Sequence, residues 1–320
     1  MHYMSLSRLV IAMDIGGTNL RYAVVNESAT ILAKGVTETS EFEGKEAVIK
    51  RILDAARTAV SWADTKPIAI GLALASPVDP VTGIMQMPPN ILSLQGYSPI
   101  KDLQDNLGIP VVAANDATLA ALGEYKYGIK KSVSNMVYLT ISTGVGGGQI
   151  IDGKIYNGSR GFAAEWGHLT LDFEGPQCNC GSNGCFETYC SGPAIVRIAE
   201  EMLAETVLKS SLNKHLGKLT PQKLASAARA GDQFSIEVWD KVGRYLGVAL
   251  SVILNTLDPD VIVIGGGVSS ALDLMMKTAE REVKTRALYP YTNNIPVTTA
   301  KLGDEAGLIG AAALAFDNIN

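Results

Sequence analysis

The chain has 320 residues, 47% of them hydrophobic and 18% charged, and a formal net charge of −5. That length allows two domains or one large bilobal unit with an ample core, and the composition excludes a largely disordered chain. Mild acidity without any lysine or arginine block excludes an electrostatic footprint for nucleic acid or an anionic membrane surface.

The first residues, M-H-Y-M-S-L-S-R, lack the basic-then-apolar layout of a signal peptide. Residues 9–14 then form a short apolar strand ending at a glycine turn, and residues 21–26 and 31–36 follow as further strands, the order of a β-hairpin or meander. Residues 45–63 carry Val48, Ile49, Ile52, Leu53, Ala56 and Val60 at helical spacing, which predicts an amphipathic helix. Residues 68–75 read as a buried strand. The turn-rich runs P-V-D-P-V-T-G and M-P-P-N lead to a strand at 109–113, and a helix follows at 117–127, capped by Asn115 or Asp116.

The pattern then restarts. Residues 136–142 are β-rich, 144–148 are a glycine turn, and 149–152 continue as a strand. Helices are expected at 192–209, 220–230 and 233–257, and a buried strand at 260–264 ends in Gly265, Gly266 and Gly267. The longest apolar stretch, 246–268, is broken by Asp258, Pro259 and Asp260, so it should not span a bilayer. D-I-G-G-T at 14–18 and S-T-G-V-G-G at 142–147 thus occupy like places, each between two strands that open a lobe. A duplicated α/β fold with two lobes and a central cleft is expected.

Three of the four cysteines fall within eight residues, at Cys178, Cys180 and Cys185. With His168 they make a complete tetrahedral Zn²⁺ shell of the Cys₃His type, which is structural and closed. Unremarkable thiols or a disulfide are the competing readings. Glu165 and Glu187 bracket the cluster, and a metal that pins a loop also fixes the side chains beside it. Cys190 lies outside this rhythm and reads as a small buried hydrophobe. Clustered thiols fit a reducing compartment better than a secreted disulfide scaffold, so a cytoplasmic protein is expected.

Either glycine turn could present backbone N–H groups to phosphate oxygens, with hydroxyls from Thr18 and Thr143, or could be a plain hairpin turn. Neither matches a P-loop or a dinucleotide fingerprint. Gly265, Gly266 and Gly267 end a buried strand, where α/β proteins commonly place ligands. Asn115 and Asp116 are ordinary N-caps; alternatively Asp116 is a general base that takes a proton from a substrate hydroxyl.

Together these segments resemble the ROK family of sugar kinases and related transcriptional repressors, which has the actin/hexokinase-like (ribonuclease H-like) ATPase fold. The resemblance rests on D-I-G-G-T-N-L-R at 14–21, P-P-N at 88–90, N-D-A-T-L-A-A-L-G-E at 115–124 and T-I-S-T-G-V-G-G-G at 140–148. E-W-G-H at 165–168, C-N-C-G-S-N-G-C-F-E-T at 178–188 and G-G-G-V-S at 265–269 complete it. It implies a small lobe of residues 1–118 with 302–320 and a large lobe of 119–301 carrying the zinc loop. Asp14, Gly16, Gly17 and Thr18, with Thr143 and Gly144, would hold the phosphates of ATP, Asp14 also facing Mg²⁺. Gly265, Gly266 and Gly267 would lie against the adenosine.

In the same reading Asp116 is the catalytic base, and Asn90, Asn115, Glu165, His168 and Glu187 hold the sugar. The implied activity is transfer of the ATP γ-phosphoryl group to the primary hydroxyl of a hexose. Glucose is the leading sugar because of Asn90 in P-P-N. N-acetylmannosamine, N-acetylglucosamine and fructose are the alternatives, and a non-catalytic sugar sensor is the reading from another class. Ser76 stands where the family often has a glycine that approaches the sugar. Only eight residues precede the first strand, so no DNA-binding module is expected; a homodimer is expected by resemblance.

Overall fold

A computed structural model describes residues 8–205, 212, 217–288 and 296–318. The chain divides by packing into two compact units. The first is Met1–Ser134, Gly148–Ala164 and Lys301–Asn320; the second is Asn135–Gly147 and Glu165–Ala300.

The first unit is built on a five-stranded sheet of order β3-β2-β1-β4-β5. β1 (Leu9–Ile15), β2 (Asn19–Asn26) and β3 (Ile31–Glu38) form the expected antiparallel meander, while β4 (Ala69–Leu74) and β5 (Val111–Asn115) run parallel to β1. β1 reads as an unbroken apolar run because both of its faces are covered. Ile11, Met13 and Ile15 pack with Val48, Ile52 and Ala56 of α1 (Lys45–Ser61). Alternation turns Val10, Ala12 and Asp14 the other way, toward the helix Ala306–Asp317 that closes the described chain. That helix crosses so near that a Cβ on Gly71 would lie 2.0 Å from the Ala311 carbonyl oxygen. It is buried nearly all round, which erases the 3.6-residue pattern, and sequence reading misses it. It likewise misses α2 (Pro99–Leu107).

α3 (Asp116–Gly123) is shorter than expected, because the chain then widens into a π turn over Glu124–Gly128 in which Ile129 N–H donates to the Glu124 carbonyl. At this turn the fully buried Glu124 carboxylate accepts from the backbone N–H groups of Lys301 and Leu302. α3 packs on Ala306–Asp317 so closely that a Cβ on Gly310 would lie 1.7 Å from the Leu119 carbonyl oxygen. This packing, and the approach of Gly148 to Thr118, assign residues 119–134 and 148–164 to the first unit, where the sequence-based boundary falls at 118.

The second unit holds β6 (Met136–Ile141), with β9 (Val261–Gly265) parallel to it and β10 (Val297–Thr299) parallel to β9. β7 (Val145–Ile151) and β8 (Lys154–Ile155), which fall in the first unit from Gly148 onward, complete the sheet order β10-β9-β6-β7-β8. The glycine run 144–148 is therefore mostly strand and not turn. Its last glycine is required by packing, since a Cβ on Gly148 would meet the Thr118 Cα at 2.8 Å.

α4 (Glu187–Cys190), α5 (Gly192–Glu205), α6 (Pro221–Arg229), the 25-residue α7 (Gln233–Leu257) and α8 (Leu272–Arg286) cover this sheet. The last residues of the helix expected at 192–209 lie outside the described residues. α7 meets α8 backbone to backbone at Gly243 and Gly247, where added Cβ atoms would lie 2.7 and 2.6 Å from the carbonyl oxygens of Met275 and Ala279. Among the described residues no helix is long and apolar enough to cross a membrane. With Ala306–Asp317 as α9, the α-helices among the described residues are α1 to α9.

Candidate active site

In the first unit, the turn between β1 and β2 closes through Gly16 N–H donating to the Asn19 carbonyl at 3.0 Å. Thr39, fully buried, braces it from the end of β3: its hydroxyl donates to the Gly16 carbonyl at 2.6 Å and its N–H to the Thr18 carbonyl at 2.9 Å. Gly17 is required for a reason the sequence does not show. A Cβ there would sit 2.4 Å from the Asn90 Cβ and 2.8 Å from the Asn90 carbonyl oxygen. The P-P-N loop is therefore seated directly on this glycine turn.

Asp14 lies at the end of β1, on the α9 face, where a Cβ on Gly307 would approach its Oδ2 to 3.3 Å. Burial pushes its carboxyl above the usual carboxylate range, and nearby Arg21 partly offsets this.

Asn115 and Asp116 join β5 to α3. The Asn115 side chain is the N-cap, its Oδ1 accepting from Thr118 N–H at 2.9 Å. Its Nδ2 donates to the Ser76 carbonyl at 3.1 Å and to Asp116 Oδ1 at 3.0 Å. Asp116 Oδ1 also accepts from Ala117 N–H at 2.8 Å. Capping and orientation are thus one arrangement: the cap residue aims the carboxylate. Ser76 is a contributor that sequence reading placed differently. It is buried, its hydroxyl donates to the Pro77 carbonyl and accepts from Met87 N–H, and its own carbonyl fixes Asn115.

In the second unit, the turn between β6 and β7 closes through Ser142 N–H donating to the Gly144 carbonyl at 2.8 Å. The Glu187 carboxylate reaches this turn. Its Oε2 accepts from Val145 N–H at 2.8 Å, and a Cβ on Gly144 would lie 2.5 Å from that oxygen. Gly167, in E-W-G-H, packs against the other side of the same residue, where a Cβ would be 1.9 Å from the Val145 carbonyl oxygen. Glu165 is near enough to His168 and Glu187 to feel both charges. Burial pushes its carboxyl up, His168 pulls it down and Glu187 raises it again.

His168, Cys178, Cys180 and Cys185 converge, their ligand atoms all within 4.8 Å of one another. Cys180 Sγ and Cys185 Sγ are 3.7 Å apart, and Cys178 Sγ is 3.8 Å from His168 Nδ1. Tetrahedral Zn²⁺ with bonds of ~2.3 Å separates two sulfurs by ~3.8 Å, whereas a disulfide needs ~2.05 Å. The donor set and spacing therefore fit Zn²⁺, and the thiols are free. Nδ1 is the ring nitrogen turned to the sulfurs. Gly181 and Gly184 take positive φ, +92° and +62°, and at Gly184 a Cβ would be 1.5 Å from the Asp172 carbonyl oxygen. A bridge between Thr170 and Cys185, with Phe186 N–H donating to Leu169, ties this loop to the segment after E-W-G-H. Cys190 is fully buried apart from the cluster, and burial raises its thiol pKa.

Beside the β6–β7 turn lies a cavity of ≈ 520 Å³ lined by residues that include Ser142, Thr143, Val196, Leu219, Pro221 and Gly267, within the ~300–1,000 Å³ of small-molecule sites. Of Gly265, which ends β9, and the Gly266 and Gly267 that follow, Gly267 alone is among its lining residues. A Cβ on Gly265 would meet the Tyr138 hydroxyl at 2.6 Å, and Gly266 has φ +82° with a Cβ position 2.4 Å from the Ile141 carbonyl oxygen. The apolar wall from α5 and the start of α6 carries no motif, so sequence reading did not find it.

Two α/β units, each opening on a hairpin with a glycine turn and each turn touched by a polar residue of a ligand-type loop, have the two-lobed architecture of the actin/hexokinase-like fold. The profile of the ROK family matches residues 10–318, and the chain belongs to that family. It is 37% identical to a glucokinase of Halalkalibacterium halodurans over 96% of this chain and 94% of that protein. It is 34% identical to a glucokinase of Streptomyces coelicolor over 96% of this chain and 97% of that one. A solved ROK family glucokinase from Streptomyces griseus, in complex with glucose and AMPPNP, is 32% identical with a TM-score of 0.81, covering 97% of this chain and 100% of that one.

Proposed function

We propose that this chain is an ATP-dependent glucokinase, which transfers the γ-phosphoryl group of ATP to the primary hydroxyl of glucose. The observation that carries the reading is the Asp116 carboxylate, held in one orientation at the start of α3 by Asn115 Nδ2 and Ala117 N–H. Similarity to glucokinases over nearly the full length of both proteins supports it.

In this reading Asp116 accepts the proton of the primary hydroxyl, whose oxygen attacks the γ-phosphorus in line. The new O–P bond forms as the bond to the β-phosphate oxygen breaks, and ADP leaves. Asn90, Glu165, His168 and Glu187 hold the sugar, and Asn115 both assists and aims the base. The N–H groups and hydroxyls of Gly16, Gly17, Thr18, Thr143 and Gly144 hold phosphate oxygens, with the adenosine in the cavity beside Gly267. Most of the rate comes from positioning and electrostatics.

Asp14 is suited to face Mg²⁺ through water, because a buried carboxylate whose ionised form is penalised gains from a nearby cation. Bound Mg²⁺ supplies charge neutralisation on the transferred group. His168 Nδ1, Cys178, Cys180 and Cys185 would hold Zn²⁺ with four protein ligands. The ion would pin the loop that carries Glu165, His168 and Glu187, leaving His168 Nε2 for a sugar hydroxyl. A homodimer and a cytoplasmic location belong to the same proposal, the first on family resemblance and the second on the clustered free thiols.

The test is a coupled ADP-release screen across glucose, mannose, fructose, N-acetylglucosamine and N-acetylmannosamine. Glucose should give the highest kcat/KM. A preference for an N-acetylated sugar or fructose overturns the sugar, and no turnover on any of the five overturns the kinase.

A further inference from the structure

Val145 is the first residue of β7 and leaves the glycine turn that carries Thr143 and Gly144. Its peptide groups are gripped from two sides by loops that do not touch it in sequence. Its N–H donates to Glu187 Oε2 at 2.8 Å. Its carbonyl lies against Gly167, so tightly that a Cβ there would come within 1.9 Å of the oxygen and a branched side chain is excluded. Gly144 is bare for the same reason, since a Cβ would lie 2.5 Å from Glu187 Oε2. Both gripping residues are tied to the Cys₃His cluster, Gly167 as the neighbour of His168 and Glu187 two residues beyond Cys185.

We propose that Glu187 is a positioning residue for the phosphate turn as well as a sugar ligand, acting through the Val145 peptide. This deepens the kinase reading and rests on it for the identity of the two ligands. One carboxylate oxygen holds the turn, and the sugar draws on the carboxylate as a whole. Whatever sets the direction of that carboxylate therefore sets the position of the N–H groups and hydroxyl that meet phosphate. A residue that merely holds sugar has no effect on nucleotide binding when sugar is absent. A residue that braces the turn does.

Arg197 extends the arrangement. Its guanidinium donates to the Thr188 carbonyl at 2.7 Å and to Glu201 at 2.6 Å, and it lines the cavity beside the turn. It clamps the residue that follows Glu187 from the nucleotide side, so the short helix α4 is fixed at both ends of the Glu187–Thr188 pair.

The experiment compares wild type, Glu187→Gln and Glu187→Ala in the full chain with its zinc in place, confirmed by metal content. Two quantities are measured without sugar: the Kd for AMPPNP with Mg²⁺ and the hydrogen-exchange rate of the Val145 amide. Glu187→Ala removes the acceptor and should weaken AMPPNP binding roughly tenfold, the worth of one charge-assisted hydrogen bond. Val145 exchange should speed up by a similar factor. Glu187→Gln keeps an acceptor oxygen and should retain most of both, while losing sugar affinity.

Unchanged AMPPNP affinity together with unchanged Val145 protection in Glu187→Ala overturns the proposal. Faster Val145 exchange with unchanged AMPPNP affinity also overturns it, since the brace would then not act on the nucleotide. If wild type binds no AMPPNP and turns over no sugar, the kinase reading itself has failed, a result distinct from either. Should Glu187→Ala not fold, Glu187→Gln against Gly144→Ala, which pushes the carboxylate off the turn, gives the same comparison.

Discussion

Gly17→Ala tests whether the first glycine turn is glycine for the sake of phosphate or for the sake of the P-P-N loop. The backbone at Gly17 does not require glycine, because its φ is not in the left-handed region. The obstacle is contact: the new Cβ would stand 2.4 Å from the Asn90 Cβ and 2.8 Å from its carbonyl oxygen. Carbon pairs sit at ~3.5–4.0 Å, so the Asn90 backbone must retreat by about 1.1 Å or more, and overpacking of this kind costs about 1–3 kcal/mol. With an unfolding entropy of about 2.1 cal/mol/K per residue, that is a fall in Tm of about 1.5–4.5 °C for a chain of this size.

On the proposed roles the functional effect should fall on the sugar, although the substituted residue lies in the turn proposed to hold phosphate. A displacement of about 1 Å at Asn90 should lower kcat/KM for glucose by about 10- to 100-fold. Calorimetry and steady-state kinetics with each substrate varied in turn provide the readout. A variant as stable as wild type, with an unchanged KM for glucose, refutes the seating of the loop on the turn. Lower stability with an unchanged KM for glucose keeps the packing and removes Asn90 from the sugar site.

Asp116→Ala should cut kcat by about 10²- to 10⁴-fold while glucose binding, followed by calorimetric titration, stays within a few-fold of wild type; near-normal kcat would eliminate Asp116 as the base. Elemental analysis should find one Zn²⁺ per chain, and Cys185→Ser or chelation should remove it and lower Tm, because burial otherwise pushes the Cys185 thiol up to about 12 and leaves the clustered donors without a centre. Intact stability at zero zinc would defeat a structural metal.

Glu165→Gln should trade function for stability. Its carboxyl is raised above the usual 4.5 mainly by burial. Below the unfolded value both states are protonated, and as pH rises through the raised folded value the ionised carboxylate costs stability. The variant should therefore melt higher than wild type at pH 7.5, with the gain vanishing below about pH 4.5, while sugar affinity is lost. An equal difference in Tm at both pH values would remove burial as the cause.

The sequence by itself determined the elements that bury one recognisable face and the motifs whose chemistry is local. The β1–β2–β3 meander, α1 and α7 follow from apolar spacing. The candidate metal cluster follows from thiol and imidazole content, and the fold brings His168, Cys178, Cys180 and Cys185 within 4.8 Å of one another. The cap at Asn115 was legible, but not that the cap residue spends its amide aiming Asp116.

Tertiary structure decided what the glycines are for. Gly17, Gly144, Gly167 and Gly148 look alike in sequence, and each is bare because a different distant group arrives there: Asn90, Glu187, the Val145 carbonyl and α3. A chain shows where backbone can come close, and only the fold shows what comes close to it. α9 was illegible for a related reason, since a helix packed on every side has no polar face to mark its period. The same packing sends residues 119–134 to the first unit through a buried glutamate whose partners lie some 180 residues further along the chain.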